Sequence, residues 1–199
     1  VAAAEIDDLM VEVDGAELPI MDGSFAPFVA LLQQAGTAQR HLPRRWLRLD
    51  RGFEVRDGES RYRMEPAPSL HLEAILEYHE PVIGRQRAEL TVTADAFARE
   101  CAAARTYGFE AEVAPLRDRG LLAGASLDSA ILCSATAVLN TTLRWPNEFA
   151  RHKLGDLLGD VALLGVRPRV RITAERPSHR GNLTCMRALA RAGRIEEDG

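Results

Sequence analysis

Arg151 to Asp160, RHKLGDLLGD, contains the side chains whose types and spacing are most suggestive of chemistry. Its flanks carry a helical pattern, and on a helix His152, Asp156 and Asp160 recur one turn apart and share a face. Leu154, Leu157, Leu158, Val161 and Leu164 fall on the opposite side, the natural core contact, which leaves the polar face for chemistry. A neutral imidazole and a carboxylate one turn apart can hold a divalent zinc ion between them, as two histidines do in an H-x-x-x-H helix. A surface His–Asp pair worth only about 0.3–0.5 kcal/mol has the same spacing. On spacing alone both readings stand.

These side chains need a frame. Pro146 to Gly165 is expected to be the helix that carries them, followed by an alternating strand, Arg169 to Ala174, with Val170, Ile172 and Ala174 inward. A closing helix is expected from about Asn182 to Ala190. At the start of the chain, Leu9 to Val13 reads as a short strand before a turn at Asp14-Gly15, and Ser24 as the N-cap of a helix from Phe25 to Ala35 that Gly36 stops. Gly36 to Arg45 is a polar connector. Beyond it come short strands at Trp46–Asp50, Phe53–Arg56, Arg61–Met64, Leu70–Tyr78 and Ala88–Val92, with a hairpin turn at Asp57-Gly58. Thr93 is expected to cap a helix reaching Arg105, a glycine-bounded excursion with a helical piece at Leu116 to Arg119 follows, and Ala130–Cys133 is a further strand. Strands and helices without regular βαβ alternation predict an α+β fold, a two-layer arrangement of sheet and helices.

The chain has 199 residues, 46% of them apolar, enough for a real core in one large or two small domains. A net charge of -4 offers no basic footprint for nucleic acid. No run approaches the roughly 18 apolar residues of a transmembrane segment and no secretory leader pattern is seen, so a cytoplasmic location is expected. Cys101, Cys133 and Cys185 lack close or paired spacing and are expected to be buried, reduced thiols.

RHKLGDLLGD resembles the zinc-binding helix of the UDP-3-O-acyl-N-acetylglucosamine deacetylases of lipid A synthesis. Four further stretches resemble that family in the same order: EVDGAELPIMDGSFAPFV (Glu12 to Val29), ARTYGF (Ala104 to Phe109), GASLDSAI (Gly124 to Ile131) and SHRGN (Ser178 to Asn182). The resemblance implies two similarly folded domains, each a helix layer on a small sheet, with the active site where their helices meet. Residues 1–36 would be the C-terminal remnant of a truncated first domain, 37–45 a linker, and 46–199 a complete second domain.

It further implies hydrolysis of the N-acetyl group of a UDP-linked, acylated glucosamine, with Zn2+ as cofactor. His152 and Asp156 would be metal ligands, and His179 the acid that protonates the amine leaving group. Asp160 would hydrogen-bond His179, and Thr106 would donate to the tetrahedral oxyanion. Lys153 and Arg176 match positions at the substrate diphosphate, Tyr78 one on the uridine side and Tyr107 one near the sugar. An insert at about 108–127, with Gly124 and Leu127, would form the acyl-chain passage. The lipid pathway would bring the protein near a membrane surface. The family's third ligand and its general base belong to a Glu-His pair upstream of the stretch matching Val1. An alternative therefore stays open: a noncatalytic homologue that binds the UDP-sugar or acyl chain. Gly155 stands where the family usually carries a larger apolar residue, a change expected to loosen the ligand-bearing turn.

Overall fold

Period-two alternation decides which face of the sheet is buried. In the computed structural model, which describes residues 1–15, 18–40, 43–112 and 129–197, strand β1 is Arg45–Arg48, β2 Phe53–Asp57, β3 Ser60–Pro66, β4 His71–Glu77 and β5 Arg85–Thr91. Strands β6 (Tyr107–Phe109), β7 (Ile131–Cys133), β8 (Arg167–Glu175) and β9 (Arg194–Glu197) follow. Tyr62 and Met64 of β3, Leu72, Ala74 and Leu76 of β4, Ala88 and Leu90 of β5, and Val170, Ile172 and Ala174 of β8 are all buried. The residues between them are mostly charged and form the opposite face.

Strand β8 is the centre of a mixed seven-stranded sheet among the described residues. Its first residues run parallel to β1, with Trp46 opposite Arg167, and β9 closes the far side of β1. Its later residues lie antiparallel to β3 and parallel to β4, so that Met64, Ile172 and Leu72 stand in one row. Strands β2 and β5 extend the sheet as hairpin partners of β3 and β4. Strands β6 and β7 form a separate parallel pair.

Among the described residues four α-helices accompany the strands: α1 (Ala26–Ala35), α2 (Ala94–Glu100), α3 (Glu148–Val161) and α4 (His179–Ala192). Helix α3 packs on β4 and β5, α4 on β2 and β3, and the two helices pack on each other. Phe149, Leu154, Leu157, Leu158 and Val161 of α3 and Cys185, Met186 and Leu189 of α4 form the helix side of the core. This is a mixed α and β architecture, a sheet with helices on its apolar face. All three cysteines are free and buried, and burial pushes the thiols of Cys101 and Cys185 up to about 12. No helix among the described residues is long and apolar enough to cross a membrane.

Several sequence expectations need correction. Leu9 to Val13 is exposed and irregular, and among the described residues no strand pairs with it. Helix α1 starts one residue late, although the Ser24 hydroxyl still accepts the Ala26 N–H at 3.3 Å. Helix α2 keeps Thr93 as its N-cap but ends at Glu100 rather than near Arg105. The next residues are drawn into other contacts: the Ala102 carbonyl accepts the Phe25 N–H, and Arg105 is recruited by Glu148. Strands β6 and β9 were not anticipated, and α4 begins three residues earlier than expected, at the Ser178 cap. The helical piece at Leu116 to Arg119 lies outside the described residues.

Candidate functional site

One face of α3 carries Glu148, His152, Asp156 and Asp160 in successive turns. It is not an open surface, contrary to the expectation from spacing: Glu148 is fully buried and His152 is 7% exposed. What covers it is the Ala104–Tyr107 segment and the residue preceding α1. The Glu148 carboxylate takes the Arg105 guanidinium at 2.9 and 3.2 Å and the Arg105 N–H at 3.1 Å. Arg105 also reaches the Thr141 hydroxyl and the Thr142 carbonyl, so this buried charge pair is hydrogen-bonded on all sides, the condition under which burial of an ion pair is tolerated.

One turn on, His152 Nδ1 lies 3.0 Å from the Ala104 carbonyl. A carbonyl only accepts, so Nδ1 carries the hydrogen, and in the neutral ring the lone pair sits on Nε2. Burial holds the His152 pKa below the usual histidine value, outweighing the pull of Asp156 toward the charged form. Nε2 is 3.4 Å from Asp156 Oδ1. The ring stacks on Phe25, with centroids 5.0 Å apart and planes 19° apart. This stack explains Gly155: a Cβ there would lie 2.3 Å from the Phe25 ring, so the glycine makes the slot that Phe25 fills rather than loosening the helix.

His179 arrives from the other helix. Ser178 caps α4 by accepting the Gly181 N–H, which sets His179 in the first turn, where its side chain is 66% exposed. Nδ1 donates to Asp160 Oδ2 at 2.9 Å, and Nε2 lies 4.0 Å from Asp156 Oδ2. Lys153 Nζ contacts that same Asp156 oxygen at 3.0 Å and lies 5.8 Å from the centre of the Tyr107 ring. Tyr107 packs edge-on against Phe149 and its hydroxyl is 3.2 Å from that of Tyr78; burial pushes its pKa up, so the phenol stays protonated.

Thr106 is held at the same corner through its backbone. Its N–H donates to the Gly23 carbonyl and its carbonyl accepts the Ile131 N–H, each at 2.8 Å. Gly23 has φ +77°, and a Cβ on it would meet the Ser129 carbonyl oxygen at 2.0 Å, so this crossing requires glycine.

The structure thus brings His152, Lys153, Asp156, Asp160 and His179 into one connected group, with Tyr107 beside Lys153 and Tyr78 next to Tyr107. Arg176 stands elsewhere: its guanidinium pairs with Glu59 at 3.0 Å and Glu77 at 3.9 Å, and its backbone has φ +49°. Gly124, Leu127 and most of the expected insert lie outside the described residues. Sequence reasoning passed over Phe25, Ala104, Arg105, Glu148 and Asn182. Glu148 and Asn182 had a signal, since they stand one helical turn from His152 and His179, but Phe25 and Ala104 are brought in only by the tertiary fold.

Two of these groups suit a zinc ion. Tetrahedral ligands about 2.0–2.1 Å from zinc lie roughly 3.3 Å from each other, close to the 3.4 Å between His152 Nε2 and Asp156 Oδ1. Among the described residues no cluster of three or more His, Cys, Asp or Glu side chains forms a metal-holding group.

Comparison with known proteins identifies the family of the chain. The model of the family described as "LpxC: UDP-3-O-acyl N-acetylglycosamine deacetylase" matches residues 1–191. The chain is 41% identical over 189 residues to the UDP-3-O-acyl-N-acetylglucosamine deacetylase of Anaeromyxobacter sp. (strain Fw109-5), covering 94% of this chain and 62% of that protein. It is 40% identical over 190 residues to the enzyme of that name from Myxococcus xanthus (strain DK1622), covering 94% and 60%. Against the one from Xanthomonas euvesicatoria pv. vesicatoria (strain 85-10) the match is 41% over 167 residues, covering 82% and 55%. The chain therefore spans about 60% of the length of the first two relatives. Because the family model matches residues 1–191 of the 199, this chain belongs to the UDP-3-O-acyl-N-acetylglycosamine deacetylase family.

Proposed function

We propose that the chain carries the metal-binding and proton-donating part of a zinc-dependent deacetylase that hydrolyses the N-acetyl group of UDP-3-O-acyl-N-acetylglucosamine in lipid A synthesis. The observation that carries the reading is the gap between His152 Nε2 and Asp156 Oδ1. In the neutral, Nδ1-protonated ring these are two lone-pair donors 3.4 Å apart with no proton between them, an arrangement that a cation resolves. The family match supports it, and the chain spans about 60% of the first two relatives; on this reading the remaining ligand and the general base come from outside the described residues. On the same reading residues 1–36 end a first domain, 37–45 link, and 46–199 form a second. The enzyme would work in the cytoplasm, close to the membrane that receives its lipid product.

Zinc, when bound, polarises the amide carbonyl and makes water a usable nucleophile near neutral pH. The chain's own residues do the rest. His179, exposed and with Nε2 turned toward Asp156, donates a proton to the departing sugar amine, help worth about 10² to 10⁴ in rate. Asp160 holds the ring by its other nitrogen. The Thr106 hydroxyl donates to the oxyanion as the carbonyl becomes tetrahedral. Lys153 brings positive charge to the diphosphate, and Arg176 does so once released from Glu59 and Glu77. Tyr78 and Tyr107 line the nucleotide and sugar side.

A second reading, a homologue that binds the UDP-sugar without hydrolysing it, is favoured by one observation: two donors, not three, stand at the site among the described residues. The test is acetate release by a protein extended to the relatives' full length, with zinc supplied and then removed by chelator. Zinc-dependent turnover is expected. His152→Ala should abolish tight zinc binding, while His179→Ala keeps zinc and lowers kcat by about 10² or more. A folded, zinc-loaded protein that binds the substrate but releases no acetate would overturn the first reading in favour of the second.

A further inference from the structure

Behind Asp160 a chain of hydrogen bonds runs into the core. Asn182 is 1% exposed and Tyr62 is fully buried. The Tyr62 hydroxyl accepts the Ser178 N–H at 3.2 Å and donates to Asn182 Oδ1 at 2.7 Å. Asn182 Nδ2 donates to Asp160 Oδ2 at 2.7 Å, the oxygen that also takes His179 Nδ1. The direction of every bond is set by chemistry. Asp160 as a carboxylate only accepts, so the amide must turn its NH2 group toward it and its oxygen toward the tyrosine. Gly181 keeps the path open, since a Cβ there would sit 2.5 Å from the Tyr62 hydroxyl.

His179 lies between two carboxylates, Asp160 at Nδ1 and Asp156 at 4.0 Å from Nε2. In the neutral ring one nitrogen holds the hydrogen, and of the two carboxylates Asp160, 2.9 Å from Nδ1, is the one within hydrogen-bond distance to accept it. We infer that Asn182, anchored by Tyr62, is a positioning residue that fixes Asp160 Oδ2 and thereby selects the Nδ1–H tautomer of His179, leaving Nε2 as the nitrogen that takes up and delivers protons. The inference rests on the reading of His179 as the acid, and it adds two buried residues that touch neither substrate nor metal. The buried Asn182 amide cannot turn over without setting its oxygen against the Asp160 carboxylate, so it holds that carboxylate in one orientation.

The test is ¹⁵N NMR of the imidazole nitrogens in the metal-free 199-residue chain, above the pH at which the rings are neutral. Wild type should show His179 mainly as Nδ1–H. Tyr62→Phe, which keeps the ring packing, and Asn182→Ala should each shift the His179 tautomer ratio toward Nε2–H by about three- to tenfold, the range that one hydrogen bond's net contribution allows. His71 and His79, outside the relay, should keep their ratios, which a general loosening of the structure would not leave unchanged. A wild-type ring already Nε2–H, or an unchanged ratio in folded Tyr62→Phe, overturns the inference, and the latter variant decides if Asn182→Ala does not fold. Because the measurement reads no turnover, its failure is distinct from failure of the deacetylation assay.

Discussion

His152 and His179 are held alike by one nitrogen and differ in everything around the other. Each gives Nδ1 to an acceptor and turns Nε2 toward Asp156, at 3.4 and 4.0 Å. Yet the His152 side chain is 9% exposed, stacked on Phe25 and bonded to a backbone carbonyl, whereas that of His179 is 66% exposed and bonded to a carboxylate. A buried, neutral ring with its lone pair aimed is suited to lasting coordination. An exposed ring beside a carboxylate is suited to exchanging a proton. Surroundings, more than residue type, separate the two roles proposed for these rings.

That contrast can be broken from the buried side first. Glu148→Ala leaves the Arg105 guanidinium buried without its partner and is expected to lower stability by about 3–5 kcal/mol in urea denaturation. A loss below about 1 kcal/mol would mean that the head of α3 does not hold the segment covering His152. His152→Ala removes the ring stacked on Phe25 and strands the Ala104 carbonyl, an expected loss of about 2–4 kcal/mol by the same measurement. Gly155→Ala drives a methyl into the Phe25 ring and should cost about 1–3 kcal/mol; Gly155→Ala combined with Phe25→Leu should recover part of that. At the other extreme, His179→Ala should change thermal stability by no more than about 0.5 kcal/mol, because its ring packs against little. Equal losses for the two histidine variants would erase the distinction.

The period-four run from His152 through Asp160 and the inward residues of β8 were legible in the chain because helix and strand periodicity are local properties. The burial of His152 was not. The apolar positions Leu154, Leu157 and Leu158 pointed to one packed side of α3, and nothing local revealed that the polar side would be covered as well. Phe25 and Ala104 come from distant sequence, so their contacts have no periodic trace. The end of α2 was misread for the same reason: residues 101–105 have acceptable helix propensity, but Phe25 and Glu148 claim their backbone and side-chain groups instead. Gly155 shows the reverse error, where a general rule about glycine in helices missed a specific packing partner.

The ring of His152 has a ceiling from residue 25, a wall from residue 104 and a floor from its own helix, three stretches that are far apart along the chain. Such an enclosure cannot assemble from neighbouring residues; it exists only after the long loops between those stretches have closed. An ion that grips this imidazole would meet its binding geometry only in the finished molecule. Metal uptake should therefore raise the midpoint of unfolding in proportion to the logarithm of free metal, a thermometer for how completely the enclosure has closed.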